Sequence, residues 1–341
     1  MQVDDFDYEL PQELIAQQPV EPRDQSRLLL LNKNTGALGE TVFKKSVEYL
    51  DPGDLLVLNN SQVIPARLFG AKIPTGTRIE VLLLNRIKEG RWEVLVKPGR
   101  RAKKGVEISF GDNIMQGEVV AYTDFGGRII DFSYSGDFEQ ILNRLGEMPL
   151  PPYITEELED PERYQTVYAS KKGSAAAPTA GLHFTPALLE NIVNKGIRIE
   201  EITLHVGLGT FRPVRTDKVE EHEMHAEYFE VNRQTVEKIK ETRNNGNKVI
   251  AVGTTVTRTL EGVYKQQGKL KPGKGWTDIF IYPGFNFQVV DALITNFHLP
   301  RSTLLMLVSA FAGYKKVMRA YEKAVADRFR FYSLGDAMFI Y

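Results

Sequence analysis

Five histidines are the side chains of this sequence whose ordinary pKa lies close to neutrality, and all of them fall between positions 183 and 298. They are His183, His205, His222, His225 and His298. Imidazoles suit general acid–base work, so these five are the candidate catalytic groups. Two sit in EEHEMHAEYFEV, residues 220–231, with Glu221, Glu223 and Glu227 close by. On a helix His222 and His225 would share a face. However, AEYFEV reads as a strand, in which Met224, Ala226 and Tyr228 alternate with the acids. HExxH is absent and no third ligand is evident, so the reading here is acid–base or substrate-binding chemistry by Glu221, His222, His225 and Glu227, with no metal. The chain holds no cysteine. That excludes a thiolate nucleophile, cysteine-ligated metal and a disulfide framework.

Around the histidines lie stretches suited to holding a ligand. GSAAAPTAGLHFTPALL (173–189) brings tiny side chains up to His183. Such residues bury little apolar area, so they suit close approach of a flat or bulky ligand, with Thr179, Ala180, Gly181, Phe184 and Thr185 as its contacts. HVGLGTFRPV (205–214) has a Gly-x-Gly after a strand. A phosphate-cradling loop should open a helix, but Pro213 pushes Arg212 out of helical geometry. Gly207, Gly209, Thr210 and Phe211 therefore read as a place where a ligand or strand comes close. AVGTTVTRTLE (251–261) runs from a buried strand through Gly253 into Thr254, Thr255 and a helix, with Arg258 one turn in. Free N–H groups and hydroxyls there would bind phosphate or carboxylate; the alternative is an ordinary capped helix. YPGFNFQVVDALITNFHLPRSTLL (282–305) repeats the theme: Pro283, Gly284 and Phe285 on a turn, then Asn296, Phe297 and His298, then Arg301 and Ser302 at a helix start.

The elements that must position these residues alternate α and β. LLVLNN and KVIAVG read as buried strands, IRIEEITLHVG and DIFIYPG as further strands. TPALLENIVNKG reads as a helix with Thr185 as N-cap and Pro186 at its first position. TVEKIKETRNNG reads as an amphipathic helix, TTVTRTLEGVYK as a helix, TLLMLVSAFAG as a buried helix and YKKVMRAYEKAVADRF as a basic exposed one. Between about 64 and 147 the texture changes to about six short runs split by Gly, Pro and Asp: ARLFGAKI, RIEVLLLN, RWEVLVKP, GVEISFG, MQGEVVAYT and GRIIDFSY. That spacing predicts a small β-barrel or sandwich, of which the barrel is taken as the expectation. The expected architecture is thus a mixed α/β main domain (1–63 and 148–341) with an inserted β-barrel domain (64–147).

The chain has 341 residues with a net charge of −1. From Arg67 to Asp112, however, eleven Lys/Arg face five Asp/Glu, 11 − 5 = +6 locally. Such asymmetry fits a polyanion partner, or else a solvated strand face. The N-terminus, MQVDDFDYELP, is acidic and has no apolar signal-peptide core. The longest apolar stretch, Leu304–Ala312, is too short to span a bilayer. A cytoplasmic protein without membrane partners is expected.

LNNSQVIPARL, MPLPPYI, YQTVYA, GSAAAPTAGLHFT, HVGLGTFRPV, EHEMHAEYFEV, AVGTTVTRTLE and YPGFNFQVVDALITNFHLPRSTLLMLVSAF together resemble the signature stretches of one family. It is the S-adenosylmethionine:tRNA ribosyltransferase-isomerases of queuosine biosynthesis. The resemblance runs from DFDYELP to FRFYSLGDAMFIY, with a small departure at LNNSQ, where LNDTR is common. It implies an α/β domain with an inserted barrel. It implies transfer and isomerisation of the ribosyl part of S-adenosylmethionine onto 7-aminomethyl-7-deazaguanine at the tRNA wobble position, giving epoxyqueuosine and releasing adenine and methionine. S-adenosylmethionine is then a consumed cosubstrate, with no true cofactor and no metal, and the protein is expected to act as a monomer.

Set against that chemistry, a sulfonium acidifies the neighbouring C5′ protons, adenine leaves more readily when protonated, and the attacking amine must be neutral. Histidines suit these transfers. Glu221, Glu223 and Glu227 suit the sulfonium charge or a proton. Phe184, Phe211, Phe285 and Phe297 suit stacking on a base, and Arg258 or Arg301 the methionine carboxylate. Lys97, Arg100, Arg101, Lys103 and Lys104 are the candidate tRNA-phosphate contacts, with the helix carrying Lys315, Lys316, Arg319 and Lys323 as a second surface. A methyltransferase using the same cosubstrate, a metal-dependent hydrolase built on His222 and His225, and a non-catalytic RNA-binding module are the rival readings.

Overall fold

The computed structural model describes every residue except 125, 157, 208–213 and 215. The chain divides into two compact units. One comprises Met1–Ser61, Pro152–Lys171 and Ala177–Tyr341; the other comprises Gln62–Pro151 and Lys172–Ala176.

The larger unit is built on a nine-stranded sheet. Across it the strands run Gly273–Thr277, Glu227–Val231, Arg198–Leu204, Leu55–Asn59, Val249–Val252, Ala292–Asn296, Ala337–Ile340, Arg27–Leu31 and Leu38–Val42. The four strands from 198–204 to 292–296 are mutually parallel. Their carboxyl ends therefore share one edge of the sheet. The central strands are continuous apolar runs because both faces are covered: all of Leu55–Asn59 and Val249–Val252 is buried. On one face Leu56, Leu58, Ile250 and Ile294 pack with Leu188 and Ile192 of the helix Pro186–Asn194. Thr185 caps that helix by accepting from the Leu188 N–H at 3.1 Å, and Pro186 fills the first position, where an N–H has no helical partner to lose. The apolar helix Thr303–Ala312 is capped in the same way by Ser302.

Two elements depart from expectation. DIFIYPG is not a strand: the strand is Gly273–Thr277, which pairs with 227–231, and beyond it Ile279 and Ile281 are buried in irregular chain. The 227–231 strand does form as expected, and in it Glu227, Phe229 and Val231 point inward while Tyr228 and Glu230 are half-buried. The helix Tyr314–Ala326 is not simply exposed: it buries Val317, Ala320, Tyr321 and Ala324 along one stripe.

The smaller unit is an antiparallel barrel. Strands Arg67–Lys72, Thr77–Lys88, Arg91–Lys97, Arg128–Tyr134, Met115–Tyr122 and Glu107–Phe110 follow one another, and pairing of 67–72 with 107–110 closes the ring. Alternation along Met115–Tyr122 puts Met115, Gly117 and Val119 inside and Gln116 and Glu118 outside. Closure removes the open sheet edge that so many short strands would otherwise present.

Candidate functional site

The carboxyl edge of the parallel strands carries a cleft with about 650 Å³ of space, including solvent at its mouth. Ligands of α/β sheets bind at such edges. Its walls come from the ends of three of these parallel strands: Val206 after 198–204, Gly253–Thr255 after 249–252, and Asn296–Leu299 at and after the end of 292–296. Ala177, Pro178, Thr179 and Ala180 form another side. The strand 337–340 runs antiparallel to 292–296, with Ala337 opposite Asn296, so the residues leading into it reach the same edge. That is how Tyr332 and Ser333 join the cleft, with Tyr153 whose hydroxyl lies 2.5 Å from Ser333 Oγ.

Gly253 has φ +93°, a left-handed conformation that a side chain would strain, and it turns the chain from strand into the helix Thr254–Gln267. No side chain caps that helix, and Thr255 Oγ1 is buried without a partner. The helix start therefore presents unsatisfied donors to a ligand, not an ordinary side-chain cap.

Asn296 organises the opposite wall. Its Nδ2 donates to the Tyr332 carbonyl at 3.2 Å and contacts His183 Nε2 at 3.2 Å, while its Oδ1 accepts from Thr179 Oγ1 at 3.0 Å. The carbonyl can only accept, which fixes the amide orientation. His183 Nε2 is then an acceptor, and Nδ1–H points at Ser26 Oγ, 2.7 Å away. Burial pushes the His183 pKa down to about 3, with the charges of Arg330, Arg163 and Arg23 adding to the effect, so the ring is neutral and locked in one tautomer. It stacks on Phe43 at 4.9 Å. His183 thus orients Asn296 and does not itself line the cleft.

His298 does line it. Burial pushes its pKa down to about 3, and its Nε2 lies 2.8 Å from Thr295 Oγ1. Its backbone N–H donates to the Tyr321 hydroxyl and its carbonyl accepts from the Tyr8 hydroxyl, which pins the residue from both sides.

The other candidates are placed elsewhere. Phe184 is fully buried in the core against Phe43, so its ring has no face for a ligand. Thr185 is spent as a helix cap and donor to Asp24. Gly181 is not open space: an added Cβ there would lie 2.0 Å from the Tyr168 hydroxyl, so part of the tiny-residue run makes room for the protein's own tyrosine. Phe297 contributes to the cleft wall, but its ring is buried among Tyr321, Phe329 and Phe331. Phe285 packs on Phe287 at 5.0 Å, and it, Pro283 and Gly284 are outside the cleft lining. Buried Glu261 fixes that turn by accepting from the N–H groups of Gln288, Val289 and Val290.

Arg258 and Glu227 form a buried ion pair at 2.5 Å, both side chains under 5 % exposed, and Glu227 also accepts from the Gly207 N–H. The pair neutralises both charges in the interior, with Arg258 Nη2 left without a partner among the described residues. Arg301 sits on the surface with φ +56° between Asp4 and Asp7, away from the cleft. Glu221 pairs with Lys218 and is exposed. His222 packs edge-on against Phe280, and burial lowers its pKa with help from His225. His205, its pKa also lowered by burial, stacks on Tyr228. None of these three histidines lines the cleft, and among the described residues no group of three or more His, Asp or Glu side chains is placed to share a metal ion. Gly209, Thr210 and Phe211 lie outside the described residues.

In the barrel unit Lys97, Arg100, Arg101, Lys103 and Lys104 are all exposed, and no ion pair engages them among the described residues. Arg128 holds the loop beneath them, donating to Gly99 O at 2.8 Å and Ala102 O at 2.7 Å. The second basic surface is largely spent internally: Lys316 and Arg319 donate to the carbonyls of Lys33 and Gly36, and Lys323 pairs with Asp327.

Fold and site define an α/β protein with an accessory β-barrel and a ligand cleft at the carboxyl edge of its parallel strands. Residues 3–340 match the model of the queuosine biosynthesis protein family. The chain is 65% identical to the S-adenosylmethionine:tRNA ribosyltransferase-isomerase of Halothermothrix orenii, covering 100% of both chains. It is 58% identical to the enzyme of that name from Symbiobacterium thermophilum, with the same full coverage. Among solved structures it is similar to an S-adenosylmethionine tRNA ribosyltransferase from Thermotoga maritima, at 43% identity and a TM-score of 0.57, over 99% of this chain and 100% of that one. The chain belongs to the queuosine biosynthesis protein family.

Proposed function

We infer that this chain is a tRNA-modifying transferase-isomerase. It moves the ribosyl part of S-adenosylmethionine onto 7-aminomethyl-7-deazaguanine at the tRNA wobble position, isomerises it to the epoxyqueuosine group, and releases adenine and methionine. The observation that carries this is full-length identity of 55–65% to relatives of that name. S-adenosylmethionine is consumed as a cosubstrate.

The cleft suits the first partner. Its wall combines the rings of Tyr153 and Tyr332, hydroxyls of Thr179, Thr255 and Ser302, and an uncapped helix start, a mixture fit for a nucleoside. His298 is the histidine of the wall. Burial holds it neutral and makes it a weak base, so in this wall it hydrogen-bonds to the bound nucleoside rather than storing a proton, with Thr295 Oγ1 2.8 Å from Nε2 fixing the ring. His183 is a positioning residue acting through Asn296. The five cations of the 97–104 loop supply phosphate contacts for the tRNA.

Product analysis tests the reading. Protein, S-adenosylmethionine and tRNA carrying 7-aminomethyl-7-deazaguanine should yield free adenine and methionine, and only with that tRNA. S-adenosylhomocysteine in their place would mean a methyltransferase.

A further inference from the structure

A second pocket of about 270 Å³ opens on the other side of the His183–Asn296 contact. It shares Ser333 with the main cleft and is walled by His183, Arg23 and Arg163. Two guanidiniums in one small pocket repel each other: burial lowers the Arg23 pKa and the Arg163 charge lowers it further, against the opposing pull of Glu21 and Asp160. Folding places them there without using their donors fully. Arg23 spends Nη1 on the carbonyls of Gln165 and Leu182, at 2.9 and 3.4 Å, and its Nε and Nη2 have no partner among the described residues. Arg163, whose side chain is 13% exposed, spends Nη2 on Val20 O and Nε on Glu21, and its Nη1 is buried with no partner. Glu21 is the one carboxylate paired to either arginine among the described residues, and it is 64% exposed. A buried guanidinium donor left unsatisfied, as Arg163 Nη1 is, is costly unless an oxyanion fills it, and Arg23 adds its half-buried free donors beside it.

We propose that this pocket takes the carboxylate of the cosubstrate's amino-acid tail, gripped between Arg23 and Arg163, with the nucleoside part in the adjoining cleft. The proposal rests on the function inferred above. A terminal carboxylate fits a pocket of this size, whereas a tRNA phosphodiester brings a ribose on each side and needs an open groove. It also replaces Arg258 and Arg301, which are already paired.

The test compares adenine release from S-adenosylmethionine and from decarboxylated S-adenosylmethionine, in the unaltered enzyme and in Arg23→Gln and Arg163→Gln. The unaltered enzyme should show a KM about 10- to 100-fold higher for the decarboxylated form. Each variant should raise the KM for S-adenosylmethionine by a similar factor and leave the decarboxylated form within about two-fold, so that discrimination collapses. Equal weakening of both would mean a structural role. A raised KM for tRNA with altered salt dependence, and an unmoved KM for S-adenosylmethionine, would mean a phosphate site. Should neither variant fold, an unaltered enzyme that does not discriminate overturns the proposal by itself. No adenine from either cosubstrate would instead sink the inferred function.

Discussion

The two units treat positive charge in opposite ways. In the α/β unit most cations singled out by position are consumed by the fold: Arg258 by Glu227, Lys316 and Arg319 by backbone carbonyls, while the exposed Arg301 makes only long surface pairs with Asp4 and Asp7. In the barrel the 97–104 loop keeps five exposed cations outside any ion pair among the described residues, over a base stitched by Arg128. A paired buried charge reports on architecture, and an unpaired surface charge on what arrives from solution. The Arg23–Arg163 pocket differs from the Arg258 site in that two guanidiniums share one small space with no buried carboxylate paired to either among the described residues, and for that reason it reads as a site.

Breaking the first half of this contrast should give the largest effect. Glu227→Ala strands Arg258 in a dry interior and should cost about 3–5 kcal/mol of unfolding free energy, read from urea titration. Pairing it with Arg258→Met removes the stranded charge and should restore most of the stability. A small cost for the single change would mean that the pair is solvated, and that Arg258 is open to a substrate after all. The second half predicts the reverse pattern. Neutralising Lys97, Arg100, Arg101, Lys103 and Lys104 together should leave stability within about 1 kcal/mol. It should lower tRNA affinity on the order of 100-fold at moderate salt and flatten the log–log salt dependence by roughly 0.7–0.9 for every phosphate left without its cation. An unchanged slope would assign those charges to solvation alone.

What the sequence made legible follows the range of the interactions. Helix starts at Thr185 and Ser302, the strand-to-helix turn at Gly253 and the six barrel strands depend on neighbours within a few residues, and all can be read locally. The Glu227–Arg258 pair joins residues 31 apart and depends on which face of the 227–231 strand turns inward. Alternation of apolar and acidic residues does not say which face turns inward: Phe229 and Val231 carry Glu227 inside, and Arg258 neutralises it there. Tyr332 and Ser333 reach the cleft only because the last strand runs antiparallel beside 292–296, an order no local pattern encodes. Arg23 and Arg163 meet across about 140 residues of sequence, and their nearest local signals are a proline before one and an acidic turn around the other.

The smallest effect expected here concerns the neutral histidines. His183 and His298 each have an unfolded pKa near 6.5 and a folded pKa of about 3. Between those values the unfolded chain binds a proton that the folded chain refuses, so stability falls as pH falls, by about 1.4 kcal/mol per pH unit for each ring once below 6.5. From pH 7 to 5.5 the two should together remove roughly 2–3 kcal/mol. Glu261 and Asp336, whose carboxyls are pushed up by burial, take up protons in the folded state and offset part of this at the acid end. A variant comparison cancels that offset. His183→Gln retains a side chain able to bridge Ser26 and Asn296 but cannot titrate, so its decline between pH 7 and 5.5 should be smaller than the parent's by about 1 kcal/mol. Parallel pH curves for parent and variant would mean that His183 is protonated in the folded protein. Its Nε2 could then no longer accept from Asn296, and the amide would have to turn, facing its Oδ1 to the Tyr332 carbonyl and leaving that carbonyl without its donor.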